Sequence, residues 1–475
     1  MPRQAYYSLQ EQKLTEPHFD ILMTLLGPII SLIFVIIVTR LLLKNYYPHA
    51  VLLIAGLFMI ILAQLLGLGV PELKQPTGLG AFDLFRYIKE SFVKTNMGVG
   101  LMIMAIGGFV AYIDKIGASD ALVYVAMKPL SLFKKHPYLA AALVIPIGQV
   151  LFVCIPSAAG LGLLLMASVF PILVNLGVSR LSAVSVITAC TVFGIGPASA
   201  ITASATEIVQ TDTIGYFLTH QIPLVIPLTV SMVLTYFFVN RYFDRQMAPD
   251  QEKKEETTVE LTAPLYYAFI PVMPLILLII FSKIFSFFPI PITLDTTTAM
   301  FISLFVALIF ELIRTRKLRE VLHSLSIFWN GMGNIFKSVV TLIIAADLFS
   351  KGLIALGFID GLLGLSQQLG LGAVGIGIVM TIMIFLASML MGSGNAAFFA
   401  FAPLAPNIAT KLGASSTSFI LPMNLAASMG RAVSPVAGVI IATSDIAGVS
   451  TFAIVKRNLI PLSVGLIIML GYHFI

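Results

Sequence analysis

Long apolar runs separated by short polar stretches make up most of the chain after residue 20. Each run is about 20 residues or longer, which is the length that an α-helix needs to cross the roughly 30 Å hydrocarbon core of a bilayer. We therefore predict transmembrane helices along the whole chain. The uninterrupted spans are 21–43, 49–69, 98–117 and 219–240 in the first half, and 264–286, 297–315, 338–356 and 457–474 in the second.

Four further apolar segments are interrupted by Gly, Pro, Ser or Asn. Two of them, 140–175 and 376–411, have an apolar arm of about 15 residues, a tip of small and polar residues, and a second arm. An arm of that length reaches the midplane of a bilayer but hardly crosses it, so we predict re-entrant hairpins. The other two, 181–205 and 417–443, contain a proline beside glycines and are predicted to be broken helices.

The second half of the chain repeats the first at an offset of about 236 to 240 residues. Two copies of one unit in an apolar chain are typical of secondary transporters, whose sites lie at the interface between the copies. The repeats are residues 1–245 and 263–475, joined by a charged cytoplasmic linker at 246–262. Matching landmarks are Phe109 and Phe349, Ser157 and Ser393, Gly177 and Gly413, and Ile222 and Ile460.

Composition agrees with a membrane protein, because 58% of the residues are hydrophobic and only 11% are charged, against about 25% charged in soluble domains. The net charge of +6 does not indicate a nucleic-acid partner, since the basic residues lie in short loops beside apolar segments. Two amphipathic stretches, Phe82–Lys94 and Leu318–Lys337, suit helices at the membrane interface. The expected non-protein partner is the lipid bilayer.

Basic residues also indicate the orientation. With five spans and one hairpin in each half, sixteen Lys and Arg residues fall on one side and nine on the other. This places the first side in the cytoplasm and both termini in the periplasm. Because five is odd, the second copy is inverted. The predicted fold is an all-α polytopic membrane protein with two inverted repeats of about five transmembrane helices, each with a re-entrant hairpin and a broken helix.

The hairpin tips have the chemistry of an anion site. Glycine lets the backbone turn and approach a ligand closely, and the helix N-termini after the turn direct N–H groups at an anion. Free carbonyls with Ser and Asn oxygens could also coordinate a cation. The alternative is that small residues only let helices pack closely. The predicted substrate-binding tip residues are Ser157, Ala158, Ala159 and Gly160, and Ser393, Gly394, Asn395 and Ala396.

The broken helices supply the remaining candidates. Arg431 lies inside an apolar span, where a charge costs about 2.5–3.5 kcal/mol on insertion scales, and no acidic residue lies within a helical turn of it. Its guanidinium could bind a carboxylate as a fork, or it could cap the carbonyls of a broken helix. Further predicted substrate contacts are Ser199, Asn424 and Ser434, and candidate cation contacts are Thr202, Ser428 and Gly438.

Other ionisable residues within or beside spans are few. Each could couple transport to a proton or cation, or could cap a helix. Cys154 and Cys190 lie in apolar stretches without the spacing of a metal site or a disulfide framework. We therefore expect no metal and no cofactor, apart from a coupling ion that is Na⁺ or H⁺. The acidic candidates for coupling are Glu207, Asp295, Asp347 and Asp445.

Three runs, Ser157–Ala167, Gly392–Phe401 and Asn424–Val439, resemble the DcuC-type anaerobic C4-dicarboxylate carriers, and the resemblance extends over essentially the full length. It implies a homodimeric bacterial inner-membrane carrier of succinate, fumarate and related diacids, in which a mobile transport domain moves against a scaffold. Sodium-coupled relatives in the wider ion-transporter superfamily carry Ser-Asn-Thr at both tips. Here the tips read Ser157-Ala-Ala and Ser393-Gly-Asn, so proton coupling or diacid exchange is as consistent as sodium coupling.

Alternatives remain open at this stage. A carrier of the same fold could transport another organic anion or an amino acid, or exchange sodium for protons. A channel would not need breaks in both halves. A membrane-embedded enzyme would need an acid–base or nucleophile constellation, and none stands out in the sequence. We therefore expect a carrier of C4-dicarboxylates working by alternating access and not an enzyme.

Overall fold

A computed structural model of the chain describes residues 16–44, 46–133, 135–246, 263–282, 284 and 292–474. All regular secondary structure within these ranges is helical, which confirms the predicted all-α class. Eight helical segments among them are long and apolar enough to cross a membrane. The chain is therefore a multi-pass membrane protein. The charged linker predicted at 246–262 lies outside the described residues, apart from Gln246.

The first half begins with two long apolar helices and continues through one bent rod into shorter segments. Its helices are α1 (Glu16–Leu43), α2 (Pro48–Leu65), α3 (Gly80–Thr95), α4 (Leu101–Lys115), α5 (Ala118–Met127), α6 (Pro137–Cys154), α7 (Ala158–Ser168), α8 (Phe170–Asn175), α9 (Arg180–Ala189), α10 (Ala200–Val209), α11 (Thr213–Tyr216) and α12 (Ile222–Asp244). Short π-helical turns, Asn96–Gly100 and Phe217–Gln221, join α3 to α4 and α11 to α12.

The second half is also helical throughout its described regular structure. Its helices are α13 (Met273–Ile280), α14 (Thr296–Thr315), α15 (Leu318–Ile335), α16 (Thr341–Ala355), α17 (Phe358–Gln368), α18 (Ala373–Met391), α19 (Gly394–Phe401), α20 (Ala405–Lys411), α21 (Ser416–Ala432), α22 (Gly438–Ala447) and α23 (Thr451–Phe474). A π-helical turn, Phe336–Val340, joins α15 to α16, and single 3₁₀ turns lie at Leu265–Phe269 and Ala402–Leu404.

The two amphipathic stretches do not end before the spans that follow them. Helical structure is continuous over Gly80–Lys115 and over Leu318–Ala355, because the π-helical turns keep the backbone hydrogen-bonded where the charged face gives way to an apolar surface. Gly98 departs from helical dihedrals (φ −112°, ψ −114°), and this kinks the first rod. Each amphipathic helix therefore runs directly into the span that follows it.

The two halves pack against each other through close helix crossings. Helix α2 crosses α16, and α4 crosses α15. A Cβ added to Gly352 would lie 2.8 Å from the Gly56 carbonyl oxygen, and one added to Gly331 would lie 2.9 Å from the Gly107 carbonyl oxygen. Small residues at these crossings let the two helix backbones come into van der Waals contact, which strengthens the dispersion attraction between the helices. These glycines therefore lie where helices from opposite halves cross closely.

A second bundle contains the interrupted segments. Helix α6 packs against α9 and α12, and α18 packs against α21, so each hairpin arm lies beside the broken helix of its own half. The shorter pieces also pair across the halves, because α7 packs against α22 and α19 packs against α10. Within its own half, α19 packs against α21. Helix α23 packs against α12, α9 and α21. This crosswise pairing brings both tips and both breaks into one interior region.

Candidate functional site

The two hairpin segments have longer first arms than the sequence predicts. Helices α6 and α18 are 18 and 19 residues long, which at 1.5 Å per residue is about 27–29 Å. They therefore match the thickness of a hydrocarbon core, and the predicted arm of about 15 residues is corrected. Apolar residues continue on both sides of the expected arm ends, so helix formation is not interrupted there. Re-entry of the tips to the midplane stays a prediction.

Both tip serines begin the second arm of their hairpin. Ser157 Oγ accepts a hydrogen bond from the Gly160 amide at 3.1 Å, and Ser393 Oγ accepts one from the Ala396 amide at 3.2 Å. These are N-cap contacts, which satisfy one of the free amides at the start of a helix. Each tip therefore ends in a capped helix N-terminus, whose dipole favours an anion. The serine O–H groups are left to donate elsewhere.

The neighbouring tip residues differ in exposure. Ala159 is exposed, whereas Ala158 and Gly160 are half-buried. In the second tip Asn395 is half-buried and its side chain makes no hydrogen bond within the described part of the chain, while Ala396 is 1% exposed. The Asn395 amide is therefore available to a ligand, and Ala396 is a packing residue.

The second tip fits tightly against the second broken helix. A Cβ added to Gly394 would lie 2.6 Å from the Ala427 carbonyl oxygen in α21, and one added to Gly392 would lie 2.9 Å from Val436 backbone atoms. Gly392 also has a φ of +70°, a left-handed conformation that L side chains rarely adopt. The first tip meets the second half at α22, where a Cβ added to Gly162 would lie 2.9 Å from a Val439 methyl.

The breaks lie where the sequence predicts them, but they differ in length. The first runs over residues 190–199 between α9 and α10, and the second runs over residues 433–437 between α21 and α22. Ser199 caps α10 by accepting from the Thr202 amide at 3.5 Å. Helix α22 begins after Ala437, which offers no side-chain cap. The first amides of α22 are therefore without a side-chain partner, and Gly438 beside them is exposed.

The first break is organised around one carbonyl oxygen. Gly194 O accepts hydrogen bonds from Ser199 Oγ, Thr202 Oγ1 and Asn424 Nδ2, each at 3.1 Å. Thr202 and Asn424 are fully buried, and Ser199 is 7% exposed. Three predicted residues, two from the first broken helix and one from the second, thus meet at one point.

Gln221 completes this cluster and was not predicted from the sequence. Its Nε2 donates to Thr202 Oγ1 at 2.9 Å and to Asn424 Oδ1 at 2.6 Å, and its Oε1 accepts from the Gly196 amide at 3.0 Å. A buried amide with all these bonds satisfied holds a non-helical backbone in one conformation. Gln221 stands directly before the repeated Ile-Pro-Leu, a signal that could have identified it.

The second break has a corresponding amide. Asn458 Nδ2, two residues before the second Ile-Pro-Leu, donates to the Ala432 carbonyl at 3.0 Å and to Thr188 Oγ1 at 3.0 Å, and its Oδ1 accepts from Tyr236 OH at 3.1 Å. Asn458 therefore holds the end of α21 in the way that Gln221 holds the first break.

Arg431 contacts the broken helix of the other half. Its Nη2 donates to the Thr191 carbonyl at 2.6 Å, and its guanidinium carbon lies 6.0 Å from the centre of the Phe152 ring. Its Nε is buried and has no hydrogen-bond partner among the described residues. The structure thus shows the capping role that the sequence left open, because Thr191 follows the negative end of the α9 dipole. Within the described residues, the Arg431 guanidinium makes no hydrogen bond other than the one from Nη2.

The three candidate cation residues do not form one group. Ser428 lies beside Gly194, since a Cβ added to Gly194 would come within 2.4 Å of Ser428 Oγ. Thr202 shares that cluster, whereas Gly438 lies apart at the start of α22. Gly194 O already accepts three donors, so a cation there would have to displace them. Ser428 Oγ and Ser434 Oγ are buried without a partner in the described structure.

The acidic candidates have different surroundings. Asp295 caps α14 by accepting from the Thr298 amide at 3.1 Å. Asp347 forms an ion pair with Lys351 at 2.7 Å, and Asp445 is exposed. Glu207 lines a basic cavity with residues of α3. Over the described ranges, no three His, Cys, Asp or Glu residues lie together as a metal site would require.

Sequence comparison identifies relatives along nearly the whole chain. The family described as DcuC, C4-dicarboxylate anaerobic carrier, matches residues 26–475. The anaerobic C4-dicarboxylate transporter DcuC of Escherichia coli O6:H1 is 32% identical over 450 residues, which cover 94% of this chain and 96% of that protein. The probable anaerobic C4-dicarboxylate transporter DcuC of Vibrio cholerae serotype O1 is 34% identical over 441 residues, with 92% and 95% covered.

Two solved structures share the fold. MtrF of Neisseria gonorrhoeae, which represents a class of antimetabolite efflux pumps, has a TM-score of 0.58 at 13% sequence identity and is covered to 94% by 90% of this chain. The YdaH transporter of Alcanivorax borkumensis also has a TM-score of 0.58 at 13% identity, with 98% of it covered. At this identity the likeness extends to the fold alone.

Proposed function

Because the chain belongs to the DcuC family of C4-dicarboxylate anaerobic carriers, we propose that it transports C4-dicarboxylates such as succinate, fumarate and malate across the bacterial inner membrane. The observation that carries this proposal is the match to C4-dicarboxylate transporters over 94% of the chain at 32% identity. The family consists of transporters, so the enzyme alternative is set aside.

The interior chemistry supports a dianionic cargo. Helices α7, α10, α19 and α22 all begin at a tip or a break, and each N-terminus carries a partial positive charge. The first amides of α22 lack a side-chain cap, and Arg431 has part of its guanidinium unused. Carboxylates bind well to both kinds of group. We assign one substrate carboxylate to the tip of Ser393 and Asn395, and the other to Ser157, the start of α22 and Arg431.

Alternating access supplies the transport step in this proposal. The bundle of hairpins and broken helices would move against the long crossing helices, with the substrate enclosed between the tips. Transport is either diacid exchange or coupled to Na⁺ or H⁺. Gly194 O already accepts three hydrogen bonds, so a sodium ion bound there would have to displace their donors. Diacid exchange and proton coupling do not require that displacement.

Counterflow in proteoliposomes tests the substrate. Purified protein is reconstituted with unlabelled succinate inside and trace labelled succinate outside, with and without sodium and with a proton ionophore. We expect saturable accumulation of label that fumarate and malate compete away. No counterflow with any of the three diacids, from protein shown to be folded, would overturn the substrate assignment. Other organic anions and amino acids would then be assayed in the same vesicles.

Orientation and assembly complete the proposal. We place both termini in the periplasm from the Lys and Arg count, and we infer a homodimer from the family resemblance. To test the orientation, single cysteines at positions 8 and 246, in place of Ser8 and Gln246, are labelled from the periplasmic side with a membrane-impermeant reagent. We expect labelling at position 8 only. Light scattering of the purified protein tests the homodimer.

A further inference from the structure

A cavity of about 440 Å³ lies between the start of α6 and the end of α12. Its lining includes three cationic side chains, Lys135, Arg241 and Arg245, together with Tyr138 and Phe237. The Arg241 guanidinium carbon stands 5.8 Å from the centre of the Phe237 ring. The cavity is remote from the tips and breaks, so the proposed transport site does not account for it.

The charge of this cavity is not compensated by neighbouring carboxylates. Lys135, Arg241 and Arg245 are exposed and form no ion pair within the ranges that the structure describes. The adjacent carboxylate, Asp244, is already paired with Arg457 at 2.9 Å, and both side chains are 3% exposed. The three cations therefore present a net positive surface to whatever enters the cavity.

The position of the cavity is at the end of two membrane-spanning segments. Helix α6 begins at Pro137, and the span that contains α12 ends at Asp244. On the outer face of α12, Leu234, Phe238 and Tyr242 are 52%, 64% and 62% exposed. Exposed apolar residues on a spanning helix face lipid chains, and a Tyr near the span end is typical of the headgroup level. The cations thus lie at headgroup height above a lipid-facing surface.

We propose that this cavity binds the phosphate headgroup of an anionic phospholipid, with its acyl chains along the Leu234 and Phe238 face of α12. Basic pockets between transmembrane helices are suited to such headgroups, and arginine forks bind phosphate oxygens in pairs. A lipid is favoured over free phosphate because the cavity adjoins exposed apolar surface that acyl chains would cover and phosphate would not. The inference does not depend on which substrate is transported.

Occupancy would be transmitted into the bundle through Tyr138. Its hydroxyl donates to Asp244 Oδ2 at 3.2 Å, and Asp244 Oδ1 accepts from Ser182 Oγ and from Arg457 Nη1, each at 2.9 Å. A headgroup beside Tyr138 would therefore stabilise the junction of α6, α9, α12 and α23. The broken helix of the first half begins at this junction.

Thermal unfolding of delipidated protein in detergent tests the proposal, with a thiol-reactive fluorophore that reports exposure of the buried Cys154 and Cys190. We expect diphosphatidylglycerol or phosphatidylglycerol to raise the melting temperature by about 3–5 °C at saturation, and phosphatidylethanolamine to raise it much less. Inorganic phosphate should have no effect. An equal shift with the zwitterionic lipid or with phosphate would overturn an anionic-lipid site.

A charge-matched pair of variants locates the site. In one variant Lys135, Arg241 and Arg245 are all changed to Gln; in the control, Arg316, Lys317 and Arg319, which are exposed at another span end, are changed to Gln. We expect the first variant to lose the lipid-induced shift and to retain no diphosphatidylglycerol in native mass spectrometry, and the control to behave as wild type. Both variants should melt like wild type without lipid. Equal lipid retention by the two variants would show that the cavity is not the site.

Discussion

Arg431 shows how a single charge is accommodated inside an apolar bundle. The guanidinium lies beside the carbonyl end of α9 and the face of Phe152, so its charge is partly balanced without a carboxylate. Its Nε remains buried and unpaired among the described residues. A buried N–H without a partner costs about 1–3 kcal/mol, and a bound carboxylate would remove that cost. The same residue can therefore cap a helix and bind substrate.

Replacement of Arg431 is expected to abolish diacid transport. Arg431→Ala removes both the fork and the bond to Thr191 O, whereas Arg431→Lys keeps the charge without the planar fork and should restore transport only in part. Counterflow is measured per folded protein, with the exposed Arg319→Ala as the control. The Ala variant should also lose about 1–3 kcal/mol of stability from the unpaired carbonyl. Normal succinate kinetics in Arg431→Ala would exclude it from the substrate site.

Gly394 allows a second prediction at the same scale. A methyl group there would meet the Ala427 carbonyl at 2.6 Å, a backbone atom that cannot move aside cheaply. We expect Gly394→Ala to cost about 1–3 kcal/mol and to block transport by shifting the tip. Gly364→Ala is the control, because that helical glycine has no atom within 4 Å of the added Cβ. Thermal melting and counterflow are measured for both, and wild-type behaviour of Gly394→Ala would contradict tight tip packing.

At the scale of elements, the two broken helices use different means to end and restart. The first break runs over residues 190–199, and its Gly194 carbonyl accepts hydrogen bonds from Ser199, Thr202 and Asn424. The second runs over 433–437, and α22 restarts without a side-chain cap. Each break is held by a side-chain amide from further along the chain, Gln221 in the turn before α12 or Asn458 in α23. An asymmetric pair of breaks suits a site that binds its two substrate carboxylates with different groups.

Removal of Gln221 is expected to loosen the first break. Gln221→Ala would leave Asn424 Oδ1 and the Gly196 amide without their partner, at a cost of about 1–3 kcal/mol for each buried group. We expect a lower melting temperature and reduced transport, with the exposed Gln64→Ala unchanged. Gln221→Glu keeps the acceptor for Gly196 but loses the two donated bonds, so an intermediate loss should result. Wild-type stability of Gln221→Ala would show that the break is held by other contacts.

At the scale of the whole molecule, one buried ion pair joins the two halves. Arg457 on α23 and Asp244 on α12 are 2.9 Å apart and 3% exposed. Ser182 and Asn240 add hydrogen bonds to the same arginine at 2.8 and 3.2 Å. Removing only one partner of a buried pair of this kind strongly destabilises the protein. It therefore specifies how the ends of α9, α12 and α23 meet.

A double-mutant cycle tests this pair. Arg457→Leu or Asp244→Leu alone is expected to cost about 3–5 kcal/mol, because an unpaired charge stays buried. The double change to Leu should recover much of that loss. The exposed pair of Lys317 and Glu320, at 2.9 Å, serves as a control, since exposed pairs contribute about 0–1 kcal/mol. Additive losses in the cycle, measured by thermal unfolding, would show that the two residues do not act as a pair.

Local chemistry along the chain was enough to predict most of the spans, the positions of both breaks and the polar tips. These features depend on residues close in sequence: apolar length decides a span, Pro197 and Pro435 interrupt helices, and Ser157 and Ser393 cap the helices that follow them. The predicted span 264–286 contains only a short α-helix, Met273–Ile280, in its described part. The length of α6 and α18 was underestimated. Apolar residues continue helix formation as far as the turn allows, and their composition does not mark where a helix ends.

Only the tertiary structure decided which distant residues meet. Gln221 with Asn424, Arg431 with Thr191, and Arg457 with Asp244 are each separated by more than about 200 residues in the chain. Their contacts depend on how each helix is rotated and which helix lies beside it. Apolar helices in a membrane can pack in many arrangements of similar free energy. Small differences in steric fit and in the hydrogen bonding of polar groups select one of them. The sequence alone therefore determined the segments and their chemistry, and packing determined the site.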